Sequence, residues 1–193
     1  ASYQDLDDHN CTIEEREEYE PYIDKGLVVY AGVDYEAITR QAEKEADIII
    51  WDGGNNDMPF LKSDLEITVL DPLRAGHERS YFPGETNFLT ADVLVINKYQ
   101  QASAEQLNTL LDNIKKFNPD AKVIKGDSKI LVDDPKKVKG KKVLVVEDGP
   151  TLTHGGMSFG AGMVAADEFD AQEIVDPRPY AVGSIKDAYT KYP

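Results

Sequence analysis

The sequence predicts an α/β fold in which helices flank a mainly parallel β-sheet. Short, continuously apolar segments alternate along the chain with stretches that carry apolar residues at helical spacing. Several apolar segments run directly into acidic, amide or basic residues, which is typical of parallel strands whose carboxyl ends face a ligand. Hydrophobic residues make up 41% of the 193 residues, enough for a core, so we expect a single α/β domain over residues 1–193.

Helices are predicted where a capping residue precedes apolar residues at helical spacing. Thr12 is followed three residues later by Glu15, which is a capping-box pattern. Asp34 and Ser103 are of the residue types that cap helix starts. The predicted helices begin at Thr12, cover 34–45, 103–117 and 160–169, and begin again at Ser184.

Strands are predicted from short apolar runs, which suit positions buried on both faces of a parallel sheet. In the clearest run, three isoleucines lead directly into Trp51 and Asp52. A long loop is expected over residues 72–90, between two of the strands. The predicted strands cover residues 27–31, 47–51, 65–70, 92–97, 121–124, 130–132, 142–146 and 173–175.

The composition limits the partners of the protein. A formal net charge of −15 and a pI near 4.5 argue against nucleic acids and anionic membranes, because non-specific phosphate binding requires an excess of Lys and Arg. No apolar run approaches the roughly 18 residues of a membrane span. Cys11 is the only cysteine, which excludes an intrachain disulfide and suits a reducing cytoplasm. We therefore expect a cytoplasmic protein that binds a small anionic ligand in a local basic pocket.

The residues after the predicted strand 47–51 suggest a metal and nucleotide site. In P-loop enzymes an aspartate at a strand end holds Mg²⁺, which bridges the nucleotide phosphates. Asp52 occupies such a position, and Gly53 and Gly54 would let the backbone approach a phosphate. A tight turn without a ligand is the alternative, but the segment through Asp57 is unusually polar for one. We predict Asp52 as metal ligand, Asp52 and Asp57 as catalytic residues, and the glycines as nucleotide contacts.

Basic side chains follow two other predicted strands. Arg74, His77 and Arg79 lie after strand 65–70, and Arg178 lies after strand 173–175. Arginine offers paired donors to phosphate, so we predict that these residues bind an anionic phosphorylated substrate. Because such strand ends converge on one crevice, we expect them near Asp52. The alternative is a solvated surface loop.

The predicted strand 92–97 ends in Asn97 and Lys98, which we predict as nucleotide contacts. In GTPases this position carries Asn-Lys-x-Asp, and the aspartate recognises guanine. Gln100 stands at the fourth position and has no carboxylate, which favours ATP over GTP. A strand cap is the alternative interpretation. Farther along, His154 lies in a glycine-rich segment that suits an anion, and it is a candidate proton carrier.

The phosphate-cradling motif G-x-x-x-x-G-K-[ST] is absent from the sequence. The chain nevertheless contains long and unusual motifs, in the segments Asn10–Pro21, Ile50–Asp57, Pro83–Asn87, Glu147–Gly156 and Asp176–Gly183. These motifs resemble those of the cyclic 2,3-diphosphoglycerate synthetase family of archaeal and bacterial P-loop proteins. This resemblance implies the later part of the nucleotide-binding domain of a longer protein, and an ATP- and Mg²⁺-dependent ligase that closes 2,3-diphosphoglycerate into its cyclic anhydride.

Two other functions stay open at this point. A regulatory GTPase or ATPase switch could order and release the loop 72–90, and a non-catalytic fragment could bind a partner chain through an exposed sheet edge. Without a phosphate loop, we expect that the 193 residues alone will not turn over nucleotide. Assembly into a homo-oligomer is left open as well.

Overall fold

The structure is a computed structural model that describes residues 2–54, 57–147 and 159–191. The chain divides into two compact units, residues 1–62 and residues 63–193. Among the described residues, no helix is both long enough and apolar enough to cross a lipid bilayer.

The first unit contains helices whose starts are capped as predicted. Thr12 and Glu15 form a reciprocal capping box, and the Asp34 carboxylate accepts a hydrogen bond from the Ala37 backbone N–H at 3.0 Å. The first helix was not predicted, although Ser2 caps it in the same reciprocal way with an aspartate as the partner. The helices are α1 (Tyr3–Asp8), α2 (Ile13–Asp24) and α3 (Tyr35–Ala42).

The two strands predicted in the first unit, 27–31 and 47–51, do not form. Ile48 is 79% exposed and Ile50 is 83% exposed, so this apolar run is not buried. A strand needs a neighbouring backbone to complete its hydrogen bonds, and no described residue of this unit forms a ladder with either segment. Apolar composition indicated a preference for burial, but it could not supply the partner strand.

A three-stranded parallel sheet forms the centre of the second unit. Its strands are β1 (Ile67–Leu70), β2 (Val93–Ile96) and β3 (Lys122–Lys125), and they lie in the order β1-β2-β3. The register places Leu70 beside Ile96, and Ile96 beside Lys125, at the last position of each strand. The three carboxyl ends therefore lie along one edge, and the predicted α/β class with a parallel sheet is confirmed.

Helices α4 (Gly84–Thr90) and α5 (Ala104–Phe117) pack on one face of this sheet. Phe88, Leu94 and Leu110 are fully buried at the centre of this core. On the opposite face, the β1 side chains Ile67 and Val69 are 58% and 64% exposed. Among the described residues, β1 is thus covered on one face of the sheet, and this is the face that forms the core.

The loop predicted over residues 72–90 is largely helical instead, so this prediction is wrong. It contains 3-10 turns at Pro72–Arg74 and His77–Arg79, followed by α4. Pro72 and Phe88 are buried, and these anchors hold the segment against the core. The polar and glycine-containing sequence did not indicate that this segment is anchored, because the anchoring depends on residues distant in the chain.

A second, smaller sheet lies later in the chain. Strands β4 (Lys142–Val143) and β5 (Glu173–Ile174) pair in parallel, with helix α6 (Ala161–Glu168) between them in sequence. The predicted strand 142–146 is therefore shorter than expected, and residues 130–132 do not form a strand. Helix α7 (Gly183–Lys191) ends the described part of the chain.

Candidate functional site

Polar side chains cluster at the carboxyl edge of the three-stranded sheet. Asp71 follows β1, Asn97 and Lys98 follow β2, and Asp127 and Ser128 follow β3 after one glycine. Because the strands are parallel and in register, these residues meet at one edge. Open α/β sheets bind their ligands at this edge.

Lys98 links the ends of β2 and β1. Its Nζ lies 3.1 Å from Asp71 Oδ2, and both side chains are about one third exposed, at 34% and 32%. The other Asp71 oxygen accepts the Leu73 backbone N–H at 3.0 Å. Lys98 also has a left-handed backbone with φ of 54°, which is uncommon for a residue with a side chain and recurs at functional sites. The structure thus fixes the Lys98 ammonium at this edge.

Hydrogen bonds hold the turn after β2 against the end of β3. Asn97 Nδ2 donates to Ser128 Oγ at 2.9 Å, and Gln101 Nε2 donates to the Ser128 carbonyl at 3.2 Å. The Gln100 backbone N–H donates to Asp127 Oδ1 at 2.8 Å. Asp127 and Ser128 are exposed and Asn97 is half-buried. An amide, a hydroxyl and a carboxylate are therefore presented together.

Sequence analysis predicted Asn97 and Lys98 at this edge, but it missed Asp71, Asp127 and Ser128 as site residues. The same signal, a polar residue directly after a short apolar strand, was available for Asp71, whereas Lys125 and Gly126 separate Asp127 and Ser128 from the apolar residues of β3. Gly126-Asp127-Ser128 also has the composition of an ordinary turn. Only the pairing of β2 with β3 distinguishes a candidate site here from such a turn.

The predicted substrate-binding residues after β1 have different surroundings. Arg79 Nε lies 2.6 Å from Glu85 Oε1, and its guanidinium lies 3.4 Å from the centre of the Phe117 ring. Arg79 therefore joins its own turn to α4 and α5. His77 is exposed, with its ring edge-on to Tyr81, and Arg74 is exposed at the end of its 3-10 turn. Their role as substrate ligands stays a prediction.

Arg178 lies after β5, a strand of the smaller sheet. Its Nε and Nη2 donate to the two oxygens of Asp176 at 2.9 and 3.0 Å. These side-chain hydrogen bonds, together with one from the Arg178 backbone N–H, hold the pKa of the Asp176 carboxyl below its usual value. The guanidinium is thus already engaged in a bidentate ion pair.

Asp52 lies in the first unit, at the end of the exposed apolar run. The Tyr22 hydroxyl donates to its Oδ2 at 3.3 Å, and the side chain is exposed. Nearby, the Gly54 backbone N–H donates to Asp57 Oδ2 at 3.1 Å. A Cβ at Gly53 would lie 2.6 Å from the Trp51 ring, so a larger residue there would displace this ring. Asp52 thus presents an exposed carboxylate at the end of the apolar run.

The Asp52 carboxylate fits a Mg²⁺ ion, since Mg²⁺ in nucleotide sites uses one or two carboxylates together with substrate phosphates and water. A cluster of three or more ligating His, Cys, Asp or Glu side chains was not found in the described residues. Asp52 belongs to the unit 1–62, whereas His77, Arg79 and Arg178 belong to the unit 63–193. The predicted shared pocket therefore stays a prediction, and His154 lies outside the described residues.

The segment that contains His154 was predicted to suit an anion, and the helix after it, α6, already has a carboxylate from the chain at its start. Glu147 Oε1 accepts the backbone N–H groups of Gly160 at 3.1 Å and Met163 at 2.8 Å. Its Oε2 accepts the Gly162 N–H at 3.2 Å. Glu147 thus satisfies three donors at a helix N-terminus, where the helix dipole also favours negative charge.

Glu147→Gln should lower the free energy of unfolding by about 1–2 kcal/mol, because it removes the charge and turns an amide donor toward backbone N–H groups. Urea denaturation of both proteins measures this difference. Glu168→Gln is the matched control at the opposite end of the same helix, where an exposed acid opposes the dipole. It should be neutral or slightly stabilising, and equal losses for the two variants would contradict the capping role.

Comparison with known proteins relates this geometry to nucleotide binding. Residues 37–125 match the family model of the CobW/HypB/UreG nucleotide-binding domain. This segment runs from α3 to the end of β3 and includes Asp52, Asp71, Asn97 and Lys98. No solved structure matches the chain.

Two curated relatives are synthetases. The chain is 64% identical over all 193 residues to arginine synthetase ArcE of Thermococcus kodakarensis, and it spans 43% of that protein's length. It is 32% identical over 114 residues to the cyclic 2,3-diphosphoglycerate synthetase of Thermococcus sibiricus, which covers 56% of this chain and 25% of the relative. The resemblance seen in the sequence is thus supported over part of the chain. Residues 37–125 are thus similar to a nucleotide-binding domain, and the chain is similar to parts of two synthetases.

Proposed function

We propose that this chain is the nucleotide-binding part of an ATP-dependent synthetase whose product is arginine. The observation that carries this proposal is the 64% identity to arginine synthetase ArcE, which extends across all 193 residues. The aligned region therefore includes each strand end of the three-stranded sheet as well as the turn at Asp52. Identity at this level over both units favours the same reaction class.

In this function the chain would bind and orient the nucleotide. Asn97 and Lys98 would contact the base and ribose from the sheet edge, where Asp71 holds the Lys98 ammonium in place. Gly53 and Gly54 would leave their backbone accessible to a phosphate. Asp52 would hold Mg²⁺, which neutralises charge on the nucleotide phosphates when it is bound.

Synthesis of cyclic 2,3-diphosphoglycerate is the second candidate, favoured by the relative that is 32% identical over 114 residues. That substrate carries two phosphate groups, which Arg74, Arg79, Lys98 and Arg178 would neutralise. Arg79, Lys98 and Arg178 are each paired with a carboxylate of the chain. The bisphosphate ranks second because this relative has the lower identity and matches only 56% of the chain.

A regulatory switch that orders the segment 72–90 is less well supported. A switch of this kind needs a segment that is released when the nucleotide changes. Here α4 lies within the segment and buries Phe88 completely in the core of the second unit. Releasing it would expose that core.

A chimera tests the proposed reaction. The 193-residue segment of Thermococcus kodakarensis ArcE that aligns with this chain is replaced by the chain itself, and arginine formation is measured with and without ATP. We expect ATP-dependent arginine formation by the chimera. A folded chimera that forms no arginine, while unaltered ArcE does, would overturn the proposal, and formation of a cyclic pyrophosphate from 2,3-diphosphoglycerate would establish the second candidate.

In the same chimera, Asp52→Asn should lower the rate of synthesis roughly a hundredfold or more, because metal neutralisation of phosphate charge is worth several kcal/mol. It should also weaken ATP binding in the presence of Mg²⁺ but not in its absence. The side chain is exposed, so the melting temperature should change little.

Asp47→Asn is the matched control for this variant, since Asp47 is an exposed aspartate at the start of the same segment. It should leave both the rate and the Mg²⁺ dependence unchanged. A normal rate for Asp52→Asn, together with a lower melting temperature, would show that Asp52 stabilises its turn and does not hold the metal.

A further inference from the structure

We propose that Asn97 and Asp127 recognise adenine, with the Asp127 carboxylate accepting a hydrogen bond from the 6-amino group of the base. This inference rests on the proposed function, because it names the base of the nucleotide that binds at the sheet edge. It assigns to Asp127 a specificity-determining role at the end of β3, just beyond the segment that matches the nucleotide-binding family.

The Asn97 amide has the orientation and capacity to bind a purine. Its Nδ2 donates one hydrogen bond to Ser128 Oγ at 2.9 Å, which fixes the amide plane and leaves a second N–H to donate. Its backbone N–H is also fixed, since it donates to the Leu70 carbonyl at 3.0 Å in continuation of the sheet. Purine N7 is an acceptor that such an amide N–H satisfies.

The Asp127 carboxylate belongs to the same short segment as the hydroxyl that the amide contacts. Ser128, the partner of Asn97, is the residue that follows Asp127 in the chain. Asp127 Oδ1 accepts the Gln100 backbone N–H at 2.8 Å, which orients the carboxylate, and among the described residues no donor is bonded to its Oδ2. Asp127 is exposed, so Oδ2 is accessible to a ligand.

The covalent structure of purines then selects the base. The substituent on C6 is the group nearest to N7, so a base bound through N7 to Asn97 presents its 6-position toward Asp127. Adenine has an amino group there, which donates to the carboxylate, whereas guanine and hypoxanthine have an oxo group, which the carboxylate repels. The neutral side chain of Gln100 adds no second acid beside this position.

The site is thus formed by two strand ends that are adjacent in space and distant in the chain. Asn97 supplies the donor from β2 and Asp127 supplies the acceptor from β3, with the two strands in register. Lys98 is held away from the base by its ion pair with Asp71, where its stem can contact the ribose side.

Equilibrium titration of the 193-residue chain with ATP, ITP and GTP tests this inference. ITP has an oxo group where ATP has the 6-amino group. We expect ATP to bind roughly ten- to a hundredfold more tightly than ITP, which is the effect of a hydrogen bond to a charged acceptor. Asp127→Asn should abolish or reverse this preference, because its amide can donate to the 6-oxo group.

Asp120→Asn is the matched control, since Asp120 is an exposed aspartate near the opposite end of β3. It should keep the preference for ATP, and thermal denaturation should show both variants folded. Equal affinity of the unaltered chain for ATP and ITP would overturn the adenine inference and leave nucleotide binding intact. Failure of all three nucleotides to bind would overturn the proposed function and this inference with it.

Discussion

Leu94→Ala should lower the free energy of unfolding of the second unit by about 3–5 kcal/mol. Leu94 lies on the central strand β2 and is 0% exposed, surrounded by Leu70, Phe88 and Leu110 of the same core. The substitution removes the transfer free energy of the lost methyl groups and leaves a cavity, which a sheet covered by two helices cannot easily close. Urea denaturation followed by circular dichroism measures the loss.

Leu131→Ala is the control for this prediction. Leu131 is 87% exposed, so the same chemical change should alter the free energy of unfolding by less than about 0.5 kcal/mol. If Leu94→Ala and Leu131→Ala lowered stability equally, the core described around β2 would be wrong. The comparison is independent of any nucleotide or metal.

Asn118→Asp should be destabilising by a similar amount, about 3–5 kcal/mol at neutral pH. The Asn118 Nδ2 donates to the carbonyls of Phe88 and Ala91, both at 2.9 Å, and thereby closes the end of α4 against the end of α5. Asn118 is the buried polar residue of this core, at 8% exposure. A carboxylate there would have no proton to donate and would face two carbonyl oxygens.

The effect of Asn118→Asp should depend on pH. Burial and the two carbonyls would raise the pKa of the introduced carboxyl in the folded state, so folding would favour its protonated form. The destabilisation should therefore be smallest below the ordinary carboxyl pKa of about 3.9 and should grow as the pH rises through the higher folded-state value. Denaturant titrations at several pH values test this.

The control for the second prediction is Asn108→Asp on the exposed surface of α5. It should change stability by only a few tenths of a kcal/mol and show no comparable pH dependence. A loss for Asn118→Asp that is pH-independent would contradict the hydrogen-bonding role of its amide.

Helix starts were predictable because their determinants lie within a few residues of one another. Thr12 with Glu15, Asp34 and Ser103 form the expected caps. Strand formation was less predictable, since it depends on a partner that the local sequence does not specify. The runs at β1, β2 and β3 found partners, whereas Ile48–Ile50 did not.

The candidate site shows the same division. Asn97 and Lys98 were predicted from their position after an apolar run, and the structure places them at the sheet edge with Asp71 and Asp127. The pairing of Lys98 with Asp71 joins residues that follow different strands, as does the contact between Gln100 and Asp127. Such contacts follow from the register of the paired strands, which the sequence patterns predicted only approximately.

The strand order β1-β2-β3 has a consequence for how the protein is made. Each strand pairs with the next strand along the chain, so every pairing of the main sheet lies within residues 67–125. The ribosome completes β3 before it synthesises β4 and β5. The three-stranded sheet can form without them, because neither strand belongs to it. The sheet edge that we propose to bind the nucleotide can therefore assemble during translation, ahead of the later segments.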